Sequence, residues 1–260
     1  MKTSTDPVMS DHQPRAPVRR LRPAEELLRS GQRVYYEGLF ALAAREFARA
    51  RRHDPTLFEA WAEEVDACLR DDEVGEAREL ADEAIEAYGR VPVFYAAKAL
   101  VLAHEGDVRA ANEHSDIAVA HDDGGMLTWL SRGEVLLASG AQGMMHSVEH
   151  CFTSAAQRDT TRWRAQFRAG LAFARWGHPD RAIERLRQVA DLQPRNPFIW
   201  QLIGDSHRQR GDAAQAREAY RVALSRRPDY PPALDALRSM TLLGRARAWL
   251  GALVGGKCGT

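Results

Sequence analysis

A few stretches of this 260-residue chain carry residue types at spacings that could do chemistry. His146-Ser147-Val148-Glu149-His150 reads HxxEH. On a helix its two histidines stand one turn apart, able to grip zinc, with a glutamate beside them to activate a water. Such a site needs a third ligand, and the sequence assigns none. Gly251 to Cys258, GALVGGKC, approaches a phosphate loop, but cysteine stands where a Ser or Thr must hold magnesium. It also lacks the preceding strand and following helix that would aim the phosphates at a helix N-terminus. Cys68, Cys151 and Cys258 are odd in number and match no CxxC spacing, which points to reduced thiols. With no Ser/His/Asp order, paired carboxylates or Gly-rich nucleotide loop in a supporting context, the expectation is a protein that is not an enzyme and takes neither cofactor nor metal. The rival reading is a metal-dependent hydrolase built on His146, Glu149 and His150.

The element that would carry HxxEH has another explanation, because Val148 falls in a repeating column. Leu27, Trp61, Tyr95 and Trp129 lie 34 residues apart, and after a three-residue slip Gln166 and Trp200 resume the spacing. Four residues further stand Gly31, Val65, Ala99, Gly133, Gly170 and Gly204. Later columns read Ala43, Ala77, Ala111, Val148, Ala182, Ala216, and Ala50, Ala84, Ala118, Ala155, Val189, Ala223. Small residues at a fixed period are what stacked helical hairpins require, since two helices approach closely only where one carries a small residue opposite a large one. Phe47, Phe152, Leu186 and Tyr220 are the large partners. Gly38, Gly106, Gly140, Gly177 and Gly211 fall where each first helix must stop, and Pro55, Pro194 and Pro228 where a second helix must end. The slip at 140–143 predicts a lengthened turn in the fourth hairpin.

These columns resemble the tetratricopeptide repeat consensus over residues 24–230, best in the sixth copy with Trp200, Ile203, Gly204, Gly211, Ala216, Tyr220, Ala223 and Pro228. The second and third copies match less well, because Ala81 and Ser115 replace a large ring. The resemblance implies an all-α fold, an α-solenoid winding as a right-handed superhelix of six helical-hairpin repeats. Residues 231–260 add Leu234, Leu237, Met240 and Leu243 at helical spacing, expected as a C-terminal capping helix, followed by an amphipathic segment around Trp249 and a flexible tail. Residues 1–23, rich in Pro, Ser and Arg, are expected to form a disordered basic arm.

The resemblance also implies a function: an adaptor or scaffold for protein–protein interaction that holds an extended peptide or partner helix in a concave groove lined by the first helix of each hairpin. Carried onto this sequence, the groove positions include Glu59, Glu63 and Asp66 in the second repeat and Leu100 in the third. The fifth supplies Arg164, Phe167, Arg168, Leu171 and Arg175, and the sixth Phe198 and Arg208. The groove should then run from acidic through apolar to basic and aromatic. The Lys, Asn, Asn, Lys, Arg clamp of the family's chaperone-binding members is not found. With 36 basic and 36 acidic residues, no global field draws the chain to nucleic acid. No apolar run reaches the ~20 residues that span a bilayer and no secretory signal is evident, so a cytoplasmic location is expected. The alternative is a membrane-peripheral assembly factor docking through the Trp249 segment.

Overall fold

The structure, a computed structural model, describes residues 22–120, 125–140 and 142–241. Residues 1–21 of the expected N-terminal arm, the Trp249 segment and the GALVGGKC stretch lie outside the described residues, while Arg22 and Pro23 of that arm belong to the start of the first helix.

Among the described residues, twelve α-helices form six antiparallel hairpins. They are α1 (Pro23–Tyr35) with α2 (Phe40–His53), α3 (Phe58–Arg70) with α4 (Val74–Tyr88), and α5 (Pro92–Glu105) with α6 (Val108–Val119). Then follow α7 (Met126–Ala138) with α8 (Met145–Arg158), α9 (Arg164–Arg175) with α10 (Pro179–Leu192), and α11 (Pro197–Gln209) with α12 (Ala213–Arg226). Residues 231–241 form a further helix, α13. The fold is an all-α helical repeat solenoid. In the fourth hairpin a 3₁₀ turn, Gln142–Met144, takes up the insertion before α8 begins.

The small columns do what sterics demand of them. A Cβ placed on Gly31 would come within 2.5 Å of the Phe47 ring, on Gly133 within 2.4 Å of Phe152, and on Gly204 within 2.5 Å of Tyr220. At Gly170 it would meet Leu186 Cγ at 2.8 Å. Each of these four hairpins is therefore closed by one glycine taking one large side chain. Where the third copy has Ser115 in place of a ring, Arg132 reaches across from α7 and donates to its hydroxyl. At the far end Tyr230, Ala233 and Met240 pack with Ala216, Tyr220 and Ala223, so α13 lies over the sixth hairpin.

The solenoid winds tightly enough to meet itself. Tyr36, at the end of α1, sets its ring 4.7 Å from Trp163 and 5.1 Å from Phe167, while Phe40 lies 5.8 Å from Phe198. Asn196 Nδ2 donates to the Tyr36 carbonyl at 2.7 Å. Gly38 is required here on two counts: its φ of +81° belongs to the left-handed region, and a Cβ would sit 2.8 Å from the Phe198 ring. The first hairpin thus packs on the fifth and sixth. One consequence is that α3 is buried from Ala60 through Leu69, carboxylates included, as expected of a helix enclosed on every side rather than one facing an open groove.

Candidate functional site

The inner helices bring the sequence-predicted groove residues together, but mostly against one another. Glu63, Asp66, Leu100, Phe167, Arg168, Leu171 and Phe198 are buried. The sequence places them on a groove; in the structure the contact of the first hairpin with the fifth and sixth covers this part of the inner surface. Arg168 on α9 pairs with Glu63 and, at 2.7 Å, with Asp66 on α3. Its guanidinium lies 4.3 Å over the Tyr35 ring, and its Nε donates to the Tyr36 hydroxyl at 3.3 Å. Asp66 also accepts from the Tyr35 hydroxyl at 2.5 Å and from Arg70, which continues to Glu134 on α7 at 2.6 Å. Glu134 is completed by Trp176 Nε1 at 3.2 Å and by His104 at 3.4 Å. The acidic and basic ends of the inner surface are thus joined in one buried network, and Asp66, Arg70, Glu134 and Arg168 border a void of about 20 Å³, the size of a water.

Electrostatics in this interior follow from burial set against pairing. Burial pushes the Glu63 carboxyl up, with Arg168 opposing it incompletely. Burial also acts on Glu134, yet Arg70 and the His104 hydrogen bond outweigh it and hold that carboxyl well below the usual range. The Tyr36 hydroxyl is pushed up by burial to about 12. A carboxylate held ionised by a guanidinium and a phenol that stays protonated form a structural lock rather than a proton-transfer pair. Sequence reasoning assigned no role to Tyr35, Tyr36, Arg70, His104 or Glu134.

The remaining predicted residues stay nearer the surface. Glu59 is exposed and accepts from Gln32 at 3.0 Å. Arg164, half-buried, donates to the Gln32 side-chain carbonyl at 2.9 Å. Arg175 lies 3.7 Å from Asp72, and the exposed Arg208 lies 3.4 Å from Asp205. In the HxxEH stretch both histidines are exposed on α8, and Glu149 is engaged by Arg185 and, at 2.5 Å, by Arg181. The carboxylate that would activate a metal-bound water is committed to structure. No group of three or more His, Cys, Asp or Glu suited to a metal occurs among the described residues. Cys68 and Cys151 are buried thiols, pushed up by burial to about 12 and about 11, which makes them poor nucleophiles. Among the described residues no helix is long and apolar enough to cross a membrane.

Besides an opening of about 580 Å³ bounded by α2, α3 and α4, two others mark the closed ring. One, of about 360 Å³, lies over the starts of α5 and α7 and is lined by Glu59, Val91, Pro92, Val93, Gly125, Met126, Leu127 and Thr128. Neither helix carries a side-chain cap there; in α5 Pro92 has no N–H and the Phe94 amide donates to the Val91 carbonyl, which leaves the Val93 amide and the first-turn amides of α7 without an intrahelical acceptor. The other, of about 410 Å³, lies at the seam where α1 meets α9 and the segment before α11.

Comparison with known proteins identifies the kind of repeat. The profile described as Tetratricopeptide repeat matches residues 28–92 and 167–231. No curated protein matches the sequence. Among solved structures, the chain is similar to TTC0263, a thermophilic TPR protein of Thermus thermophilus, at 18% identity and TM-score 0.50, over 84% of this chain and 99% of that one. It is similar to a tetratricopeptide repeat protein from Parabacteroides merdae ATCC 43184 at 14% identity and TM-score 0.50, over 85% of this chain and 87% of that one. YrrB, a TPR protein described as having an unusual peptide-binding site, matches at 17% identity and TM-score 0.42, over 75% of this chain and 99% of that one.

Proposed function

The chain belongs to the tetratricopeptide repeat family, whose profile covers half of it, and from that premise we propose that it holds a partner protein through an extended peptide or helix docked on the apolar shelf at the starts of α5 and α7. The family consists generally of non-enzymatic scaffolds with protein partners. What carries the choice of shelf is the filling of the interior: Phe167, Arg168 and Leu171 are occupied by contacts within the chain, whereas Val91, Val93, Met126 and Leu127 line an opening of about 360 Å³. That volume accepts one or two apolar side chains, and Glu59 at its edge favours a basic residue beside them. The first-turn amides of α7 suit a peptide carbonyl or carboxylate.

The test is selection of binders from a random-peptide library on the full-length protein, followed by affinity measurement on variants. Apolar-anchored peptides should bind the wild type and lose about tenfold or more on Val93→Glu/Leu127→Glu, because each anchor loses a desolvated contact. Selected peptides that bind this variant as well as the wild type would place recognition elsewhere and overturn the reading.

A further inference from the structure

The seam opening has the opposite chemistry to the shelf. Its wall takes Arg29 and Arg33 from α1, Arg164 from the first turn of α9, Arg195 from the turn before α11 and Arg227 from the end of α12, around the half-buried Trp163. Arg29, Arg33, Arg195 and Arg227 are exposed and make no ion pair among the described residues. Arg164 spends one terminal nitrogen on Gln32, and its Nε is buried without a partner. A single carboxylate, Glu37, stands in the lining. Arginines elsewhere on the surface are of both kinds: Arg181, Arg185 and Arg210 each meet an acidic neighbour from an adjacent helix or turn, whereas the exposed Arg45 and Arg52 make no ion pair among the described residues.

In a chain of zero formal net charge, five guanidiniums around one opening constitute a local excess, and within a Debye length of about 10 Å they repel one another unless an anion is present. The arrangement exists only because the ring closes, since α1 and the α10–α11 turn are more than a hundred residues apart in sequence. We infer that this seam pocket binds an acidic segment of a partner protein, with clustered Asp and Glu side chains forked by the arginines over the Tyr36 and Trp163 rings. Guanidinium suits carboxylate pairwise, and arginine beside an aromatic ring is the usual anchor of an interface. Charges contributed from separate elements around about 410 Å³ match anionic groups spread along a peptide better than one compact phosphate. The inference rests on the reading of the chain as a scaffold for proteins, but not on the shelf.

The test uses the full-length protein and a fluorescein-labelled oligoglutamate peptide, read by anisotropy, with inorganic phosphate and a single-stranded oligonucleotide as rival probes. Saturable binding should weaken about tenfold or more in Arg33→Glu/Arg195→Glu and persist in Arg45→Glu/Arg52→Glu, which reverses two exposed arginines of α2 outside the pocket. Inorganic phosphate should compete only through ionic strength, and the oligonucleotide should bind more weakly than the peptide. Equal loss in the α2 variant would reduce the effect to diffuse electrostatics and overturn the proposal. Specific displacement by phosphate, tighter binding of the oligonucleotide, or no saturable peptide binding would overturn it as well. Val93→Glu/Leu127→Glu leaves the seam intact and should bind oligoglutamate normally, so failure of the shelf and failure of the seam are read separately.

Discussion

Replacing Arg168 with methionine keeps an unbranched apolar stem and removes the guanidinium charge at the centre of the closed interior. The Arg168, Glu63 and Asp66 side chains are 5%, 1% and 5% exposed, so the substitution leaves two carboxylates away from water without their shared cation. Breaking such a pair typically costs about 3–5 kcal/mol. Asp66 keeps Arg70 at 3.0 Å and the Tyr35 hydroxyl, and Glu63, already pushed up by burial, relieves its charge by taking a proton. Both place the loss near the lower end, about 3 kcal/mol. For a domain of this size each kcal/mol lowers Tm by about 2–4 °C, so a fall of about 6–12 °C is expected in a circular-dichroism melt. Arg175→Met, at a side chain 35% exposed, should stay within about 0.5 kcal/mol of wild type. Adding Glu63→Gln to Arg168→Met should recover part of the loss, because a neutral pair needs no counter-charge. If Arg168→Met melts together with Arg175→Met, Arg168 is solvated and the interior is not the paired core described above.

Gly170→Leu should lower Tm through overpacking of about 1–3 kcal/mol, because even its Cβ would press on Leu186 Cγ at 2.8 Å; a melt equal to wild type contradicts the helix register. Removal of residues 231–260 should uncover Tyr220 and Ala223 and give aggregation or a clearly lower Tm, whereas an unchanged monomer by gel filtration with an unchanged melt would deny α13 a capping role. Glu134 sets a pH dependence: its folded carboxyl lies below the ordinary 4.5, so its contribution is present above that value and lost as pH falls, while Glu63, raised on folding, has the opposite sign. Glu134→Gln should therefore be less stable at neutral pH and lose part of the drop in Tm between about pH 5 and pH 3. Identical pH profiles for the two proteins would place Glu134 outside any ion pair.

Much of the fold was legible because it is written in sterics between neighbours. The column Gly31, Gly133, Gly170, Gly204 and its large partners specify how two helices of one hairpin meet, and that contact is local in sequence. The closure was not legible in the same way. How tightly a solenoid winds depends on small rotations between successive hairpins, which no single column encodes, and those rotations decide whether Glu63 and Asp66 face a partner or reach Arg168. The charge pattern was visible: an acidic inner surface in the second repeat and a basic one in the fifth. Its complementarity is to itself at the centre, with Arg168 between Glu63 and Asp66. A usable signal was Gly38 followed by Phe40, with Tyr35 and Tyr36 just before it, since bulky aromatics at a hairpin turn need a surface to cover them. The seam arginines were invisible because Arg29, Arg33, Arg195 and Arg227 become neighbours only after the ring closes.

The closure itself is open to direct measurement by pulsed electron spin resonance between nitroxides at Arg33→Cys and Arg195→Cys, exposed positions on the two sides of the seam. Cys258 is replaced by serine, and Cys68 and Cys151, buried with thiols pushed up to about 12 and about 11, stay unlabelled at neutral pH. The closed ring predicts one narrow distribution at short distance, broadened by Arg168→Met. A long or broad distribution in the otherwise unaltered protein would mean that the first and sixth hairpins stand apart in solution, and the buried network, the filled groove and the seam pocket would fall together.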